Sequence, residues 1–215
     1  IYPPLPGRES FSVGLKSFMG YAFLFSLGTM SLISTDVLMV RYLFDEHTSG
    51  LYSSLSILGR MIFYGLSPLT ALALPIATHR YANRGTARSV FIKLGSALLF
   101  LGLIGAGIFS FFPELIIRVF SGAQYLAEAP YLSIFAFTMV FFALNQFVIS
   151  YLMATNRPQA NILLLVATVA QPCLFIICRA SFSLVIWSNL VIQAVLLLSL
   201  FAFSFRQRQI ALNSV

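Results

Sequence analysis

Charge is what this sequence has least of. Only 9% of its 215 residues are Asp, Glu, Lys or Arg, and six are acidic. A soluble domain carries about 25% charged residues, so the chain has too few to cover a surface facing water. Cysteine is as scarce. Cys173 and Cys178 share one apolar segment with no metal-ligand spacing, so they read as small packing residues and say nothing of the redox compartment. The two histidines, His47 and His79, stand far apart, and no Gly-rich phosphate loop or HExxH pattern occurs. No cleavable signal pattern precedes the first apolar run. The chain opens on Ile1, which reads as a piece of something longer.

What is present is apolar: 59% hydrophobic residues and a mean hydropathy of +0.92. The class that follows is an all-α, polytopic membrane protein. Hydropathy divides the chain into six runs of about the 20 residues that a spanning helix needs: Phe18–Phe44, Leu51–Ala77, Val90–Phe112, Pro130–Ala154, Asn161–Cys178 and Leu184–Phe205. Helices are required because lipid satisfies no backbone hydrogen bond, and the period-two alternation of a barrel is missing. Pro68, Pro75 and Pro172 fall inside runs and predict kinks rather than ends. "DEHTSG", "NRGTAR", "NRPQ" and "RASFS" read as connections. The longest connection, Pro113 to Ala129, contains "PELIIRVF", amphipathic enough to lie along an interface, while Tyr125 and Tyr131 suit an aromatic belt.

Loop charges orient the bundle. Arg8, Lys16, Arg80, Arg84, Arg88, Lys93, Arg157, Arg206 and Arg208 fall on one side. Arg41, Arg118 and Arg179 fall on the other, with Asp45, Glu46, Glu114 and Glu128. The positive-inside rule places both termini in the cytoplasm, in agreement with an even number of spans. The organisation expected is a cytoplasmic lead-in over 1–17, a six-helix lobe over 18–205 and a cytoplasmic tail over 206–215. The net charge of +7 suits loops facing anionic lipid. Basic residues are scattered and interleave with no exposed aromatics, so nucleic acid is not an expected partner.

An intramembrane enzyme needs a nucleophile with its base, a carboxylate pair or a metal cluster. By this topology the two histidines lie on opposite faces of the membrane and Glu9, Asp45, Glu46, Glu114 and Glu128 at loops or span edges, so no catalytic site, metal or cofactor is expected. Polar groups at depth remain. An ionisable residue near the bilayer centre costs about 2.5–3.5 kcal/mol on the insertion scale and is a functional candidate. Arg41 lies near its span's end and can snorkel to the interface. Asp36 lies about 12 Å down and cannot. Five residues turn a helix by about 500°, so Asp36 and Arg41 do not share a face. Arg60, in the next span, does better: Asp36 and Arg60 are each twelve positions from Thr48, in the middle of a short connection. We expect an intramembrane pair, or two charges facing one water-filled cavity. The same counting places Gln171 about 10 Å and Gln193 about 13 Å below the outer face, with Asn145 and Gln146 deeper. These amides either bond between helices or line a pathway.

The order of the motifs resembles a known family. "TDVLMVRYLF", "SGLYSSLSILGR" and "LALPIATHRY" resemble the opening of the second six-helix lobe of oligosaccharide flippases, the Wzx-like polysaccharide transporters of the multidrug/oligosaccharidyl-lipid/polysaccharide exporter superfamily. The matching points are Asp36, Gly50, Tyr52, Ser53, Gly59, Pro75 and the basic loop after it. "PELIIRVFSGAQYLAEAPYL" is similar to that family's outer helix and G-x-x-Y-x-x-A turn at Gly122, Tyr125 and Ala129, and "YLMATNRPQ" to its fourth-to-fifth helix junction. The resemblance covers nearly the whole chain. It implies transport of a lipid-linked oligosaccharide across the cytoplasmic membrane by two rocking lobes, of which this chain is one, partnered by an N-terminal lobe or a second copy. It also implies that the first two spans face a polar cavity, where Arg60 could meet a substrate phosphate. Two other readings stay open: a cation-coupled small-molecule or drug antiporter of the same superfamily, with Asp36 binding the coupling ion, and a non-transporting membrane subunit of a polysaccharide assembly complex.

Overall fold

The computed structural model describes residues 8–82 and 87–213. Seven α-helices follow one another in the described residues: α1 (Arg8–Leu43), α2 (Glu46–Ala82), α3 (Ala87–Phe111), α4 (Pro113–Phe120), α5 (Ala129–Ala154), α6 (Ala160–Ile177) and α7 (Phe182–Asn213), with a 3-10 turn (Ala123–Glu128) before α5. Among the described residues there is no strand. Six stretches among the described residues are long and apolar enough to cross a membrane: Phe18–Leu43, Glu46–His79, Phe91–Phe111, Ala123–Ala154, Ala160–Ile177 and Phe182–Ser204. They coincide with the six hydropathy runs. Large side chains such as Phe23, Met30, Leu38, Ile57, Phe100 and Leu198 point outward from them, a surface suited to lipid and not to water.

The helices outrun the hydropathy at both ends of the chain. The lead-in is already helical from Arg8, and α7 continues through the expected tail to Asn213, because hydropathy marks where lipid stops and not where backbone hydrogen bonds stop. Residues 1–7 of the lead-in and Arg84 of the expected basic loop lie outside the described residues. Pro68 and Pro75 sit within α2 and Pro172 within α6, and each helix runs through its proline.

The connection "DEHTSG" is shorter than the sequence suggests. Only Phe44 and Asp45 separate α1 from α2. The Asp45 carboxylate accepts from the Thr48 amide at 3.1 Å and the Thr48 hydroxyl at 2.7 Å. This is how a residue before a helix satisfies otherwise orphaned first-turn donors, so the helix begins at Glu46. The same bonds hold the Asp45 carboxyl below its usual range. The α5–α6 connection is set by Asn156, whose φ of 62° is left-handed. The Arg157 amide donates to the Leu152 carbonyl at 2.8 Å and the Asn156 amide to that of Met153 at 3.2 Å, the paired bonds that close a helix with an αL residue just past its end.

One helix makes the core. In its most apolar stretch α5 is 72% buried, against 17–44% for the other five spans. Its sequence is apolar all round with two amides, the pattern of a helix enclosed by others. α2, α3 and α7 pack directly on α5; α1 lies against α6 and, less extensively, α2; α6 returns to α7. The α2–α5 contact is the most extensive, and Gly59 makes it close. A Cβ there would stand 2.8 Å from Phe135 Cδ1. Within lipid, where burial of apolar surface does not drive helices together, such small residues let dispersion contacts form.

α4 buries Ile116 and Ile117 and exposes Leu115, Arg118, Val119 and Phe120, as the amphipathic reading of "PELIIRVF" requires. It ends where Gly122 turns the chain at φ 100°, a conformation L side chains resist, and this accounts for the glycine of the G-x-x-Y-x-x-A pattern.

Candidate functional site

Asp36 and Arg60 meet. Arg60 Nη2 lies 3.0 Å from Asp36 Oδ1, an ion pair. The route to the contact differs from simple loop symmetry. Measured from the helix ends, Arg60 starts about 10 Å further from the α1–α2 connection than Asp36 does. Helix side chains tilt toward the N-terminus, which for α2 is the connection, so the long arginine climbs back toward the carboxylate. Its Nη2 also donates to the Ile33 carbonyl, one turn before Asp36. Arg41, by contrast, is exposed in the last turn of α1.

Asp36 is held from several directions. It is 1% exposed, accepts from the Val37 amide at 2.7 Å, and accepts from the Tyr52 hydroxyl on α2 at 3.4 Å. Behind Tyr52 the polar contacts continue. Asn189 Nδ2 on α7 donates to the Tyr52 oxygen at 3.4 Å, and Gln171 Nε2 on α6 donates to Asn189 Oδ1 at 3.3 Å and to the Leu32 carbonyl at 3.2 Å. Every donor in this row points toward the carboxylate. Aligned dipoles polarise one another in a low dielectric, so the row favours a negative Asp36. It ties α1, α2, α6 and α7 together at one level.

The remaining candidates form a second group. Asn145 Nδ2 donates to the Gln193 carbonyl at 3.0 Å and to its Oε1 at 2.9 Å. Gln193 therefore stands with Asn145 and not, as depth counting placed it, in the layer of Gln171. Counting assumes that all helices start level. Asn145 lies five residues further from the start of its helix than Gln193 does from its own, so α5 begins about 7–8 Å further out than α7 if the two are parallel. Gln146 Oε1 lies 3.0 Å from Thr29 Oγ1 on α1, whose hydroxyl is also 2.7 Å from the Phe25 carbonyl. One hydrogen cannot serve both acceptors. The amide orientation that satisfies all three groups has Gln146 Nε2 donating to Thr29 and Thr29 donating to Phe25.

Asp36, Asn145, Gln146, Gln171 and Gln193 are all buried within the lobe. Arg60 is the exception: its side chain keeps 19% of its surface. Both Nη2 hydrogens are engaged by Asp36 and Ile33, and Nε has no partner. Of the five donors of a guanidinium, three are therefore uncommitted. An open cavity of about 560 Å³ lies elsewhere, at the α3–α4 junction between Ser110 and Arg118, and none of the six candidates lines it. Among the described residues no group of three or more His, Cys, Asp or Glu could hold a metal ion.

Three participants escape a reading from sequence alone. Tyr52 is visible only as a point of resemblance. Asn189 is discoverable, because it precedes Gln193 by one helical turn in an otherwise apolar run. Glu128, counted with the loop acids, is 1% exposed, since the 3-10 turn folds down against α2, α4 and α5. Comparison of the chain with known protein families, curated proteins and solved structures finds no match.

The Asn145–Gln193 contact offers a direct energetic check. A double-mutant cycle with Asn145→Ala and Gln193→Ala, read by unfolding in mixed micelles, is expected to give a coupling of about 0.6 kcal/mol, the average for hydrogen bonds between membrane helices, and no more than about 1.7 kcal/mol. No coupling would remove this contact from the account of how α5 and α7 are held.

Proposed function

We propose that this chain is one six-helix lobe of a transporter that moves a lipid-linked oligosaccharide across the cytoplasmic membrane by alternating access, in polysaccharide or cell-envelope biosynthesis. The observation that carries the reading is the uncommitted part of the Arg60 guanidinium. A charge at this depth is costly. Asp36 compensates it, yet the two Nη1 hydrogens stay uncommitted on a side chain that keeps 19% of its surface, while the unpartnered Nε is buried. A planar multi-donor cation matches the oxygens of a phosphate diester or pyrophosphate, the anionic part of a lipid-linked sugar. The resemblance in motif order supports the same substrate class. A second lobe, N-terminal or another copy, supplies the other wall of the pathway.

The antiporter alternative asks Asp36 to take a coupling cation. The carboxylate is already served by Arg60, Tyr52 and the Val37 amide, so an incoming cation would have to displace the guanidinium.

The reading is tested in proteoliposomes containing the full-length protein and a fluorescent lipid-pyrophosphate oligosaccharide, with accessibility to an external reductant as the measure. Protein-dependent movement between leaflets is expected. Movement of soluble organic cations in its place would select the antiporter and reject the flippase.

A further inference from the structure

Glu128 presents a problem that the polar row does not solve. It is 1% exposed, and neither carboxylate oxygen has a hydrogen-bond partner. It immediately precedes α5 but does not cap it, making no side-chain bond to the first-turn amides. Pro130 at the helix start removes one amide that could have served. Charged and titratable groups on the packed elements are Glu114 and Arg118 on α4; Glu46, His47, Tyr52, Arg60 and Tyr64 on α2, with His79, Arg80 and Tyr81 at its far end; Tyr131 and Tyr151 on α5; and Tyr125 on the turn itself. Glu46, His47, Glu114 and Arg118 are exposed, Arg60 is engaged by Asp36, and among the described side chains none forms an ion pair with Glu128. Burying an ionised carboxylate without partners costs several kcal/mol even after relaxation, and such a group neutralises instead.

We propose that Glu128 is a proton-binding site: a neutral acid while the α4 and 3-10 segment is packed against α2 and α5, ionising only when that segment separates. Proton release and opening of this end of the lobe are then one event. A closed state that binds one more proton than the open state makes opening more favourable as pH rises, by up to about tenfold per pH unit. As the coupling site of a transport cycle this rests on the proposed function. As a buried acid it does not.

Two measurements test it, neither requiring transport. Infrared spectra of the purified chain in lipid nanodiscs at neutral pH should show a carboxylic-acid carbonyl band that vanishes in Glu128→Gln and survives in Glu114→Gln and Asp36→Asn. Labelling of a Tyr125→Cys variant, with Cys173 and Cys178 replaced by serine, by a membrane-impermeant maleimide should accelerate with pH beyond the reagent's own dependence. The acceleration should approach tenfold per pH unit and be lost on adding Glu128→Gln. Absence of the band, or its loss in Asp36→Asn with retention in Glu128→Gln, would overturn the assignment. Labelling that follows pH equally with and without Glu128 would overturn the link to opening. If both results hold while no lipid-linked sugar is moved, the proton site stands and the transport reading fails.

Discussion

Arg60→Ala is expected to destabilise the lobe by about 3–5 kcal/mol, the range for removing one member of a buried ion pair. The loss comes less from the pair than from what is left behind. Asp36 is 1% exposed, and without the guanidinium its charge keeps only the Val37 amide and the distant Tyr52 hydroxyl. Protonation offsets part of the cost but turns the row of donors from Gln171 through Asn189 and Tyr52 against a group that no longer carries the charge they favour. Asp36→Asn is expected to cost less. Asparagine keeps the size, and Arg60 retains the Ile33 carbonyl and its partly exposed edge. Replacing both by leucine should recover much of the loss, as apolar substitution of buried ion pairs often does. Unfolding in mixed micelles reads all four proteins. A loss in Arg60→Ala no larger than in Asp36→Asn would mean that the carboxylate does not depend on its partner.

Gly59→Val should cost about 1–3 kcal/mol, with Gly59→Ala at the lower end of that range. A Cβ at this position would meet Phe135 Cδ1 at 2.8 Å, Phe135 Cβ at 3.4 Å and Met139 Cγ at 3.5 Å. The ring has no room to swing, because Phe135 is buried and packs edge-on against Tyr52 at 5.3 Å between centroids. The strain therefore separates α2 from α5. Arg60 is the next residue, so the displacement reaches the ion pair as well, and activity should fall along with stability. Gly107→Ala is the matched control. Nothing lies within 4 Å of its Cβ position, and the better helix propensity of alanine should stabilise α3 by about 0.5–1 kcal/mol. Equal effects at the two glycines would remove close approach as the explanation of the α2–α5 contact.

Much of this architecture is legible in the sequence, for physical reasons that differ by feature. The six spans are readable because lipid imposes a length and a composition on any helix that crosses it. Asp36 and Arg60 are readable as partners because a short connection forces two antiparallel helices together, leaving few rotations in which both charges are compensated. The level of Gln193 is not readable. Relative helix height is fixed by packing through α5, and the length of the 3-10 turn decides where α5 begins. That α5 is central is only hinted at by its lack of a polar face. The role of Tyr52 depends on a side chain crossing from α2 to α1 and α7, which no local pattern encodes. Glu128 is misread for a related reason: a carboxylate in a connection normally faces water, and here the connection folds inward.

The most direct test of the functional claim is translocation of a lipid-linked oligosaccharide by full-length protein carrying Arg60→Ala, Arg60→Lys or the exchange Asp36→Arg/Arg60→Asp, each at matched amounts of folded protein in proteoliposomes. If Arg60 serves the substrate, Arg60→Ala abolishes movement, Arg60→Lys retains part of it as a point charge without the planar fork, and the exchange restores stability but not transport. Full transport by Arg60→Ala, or recovery of transport in the exchange, would contradict the account and leave the pair as a tie between two helices.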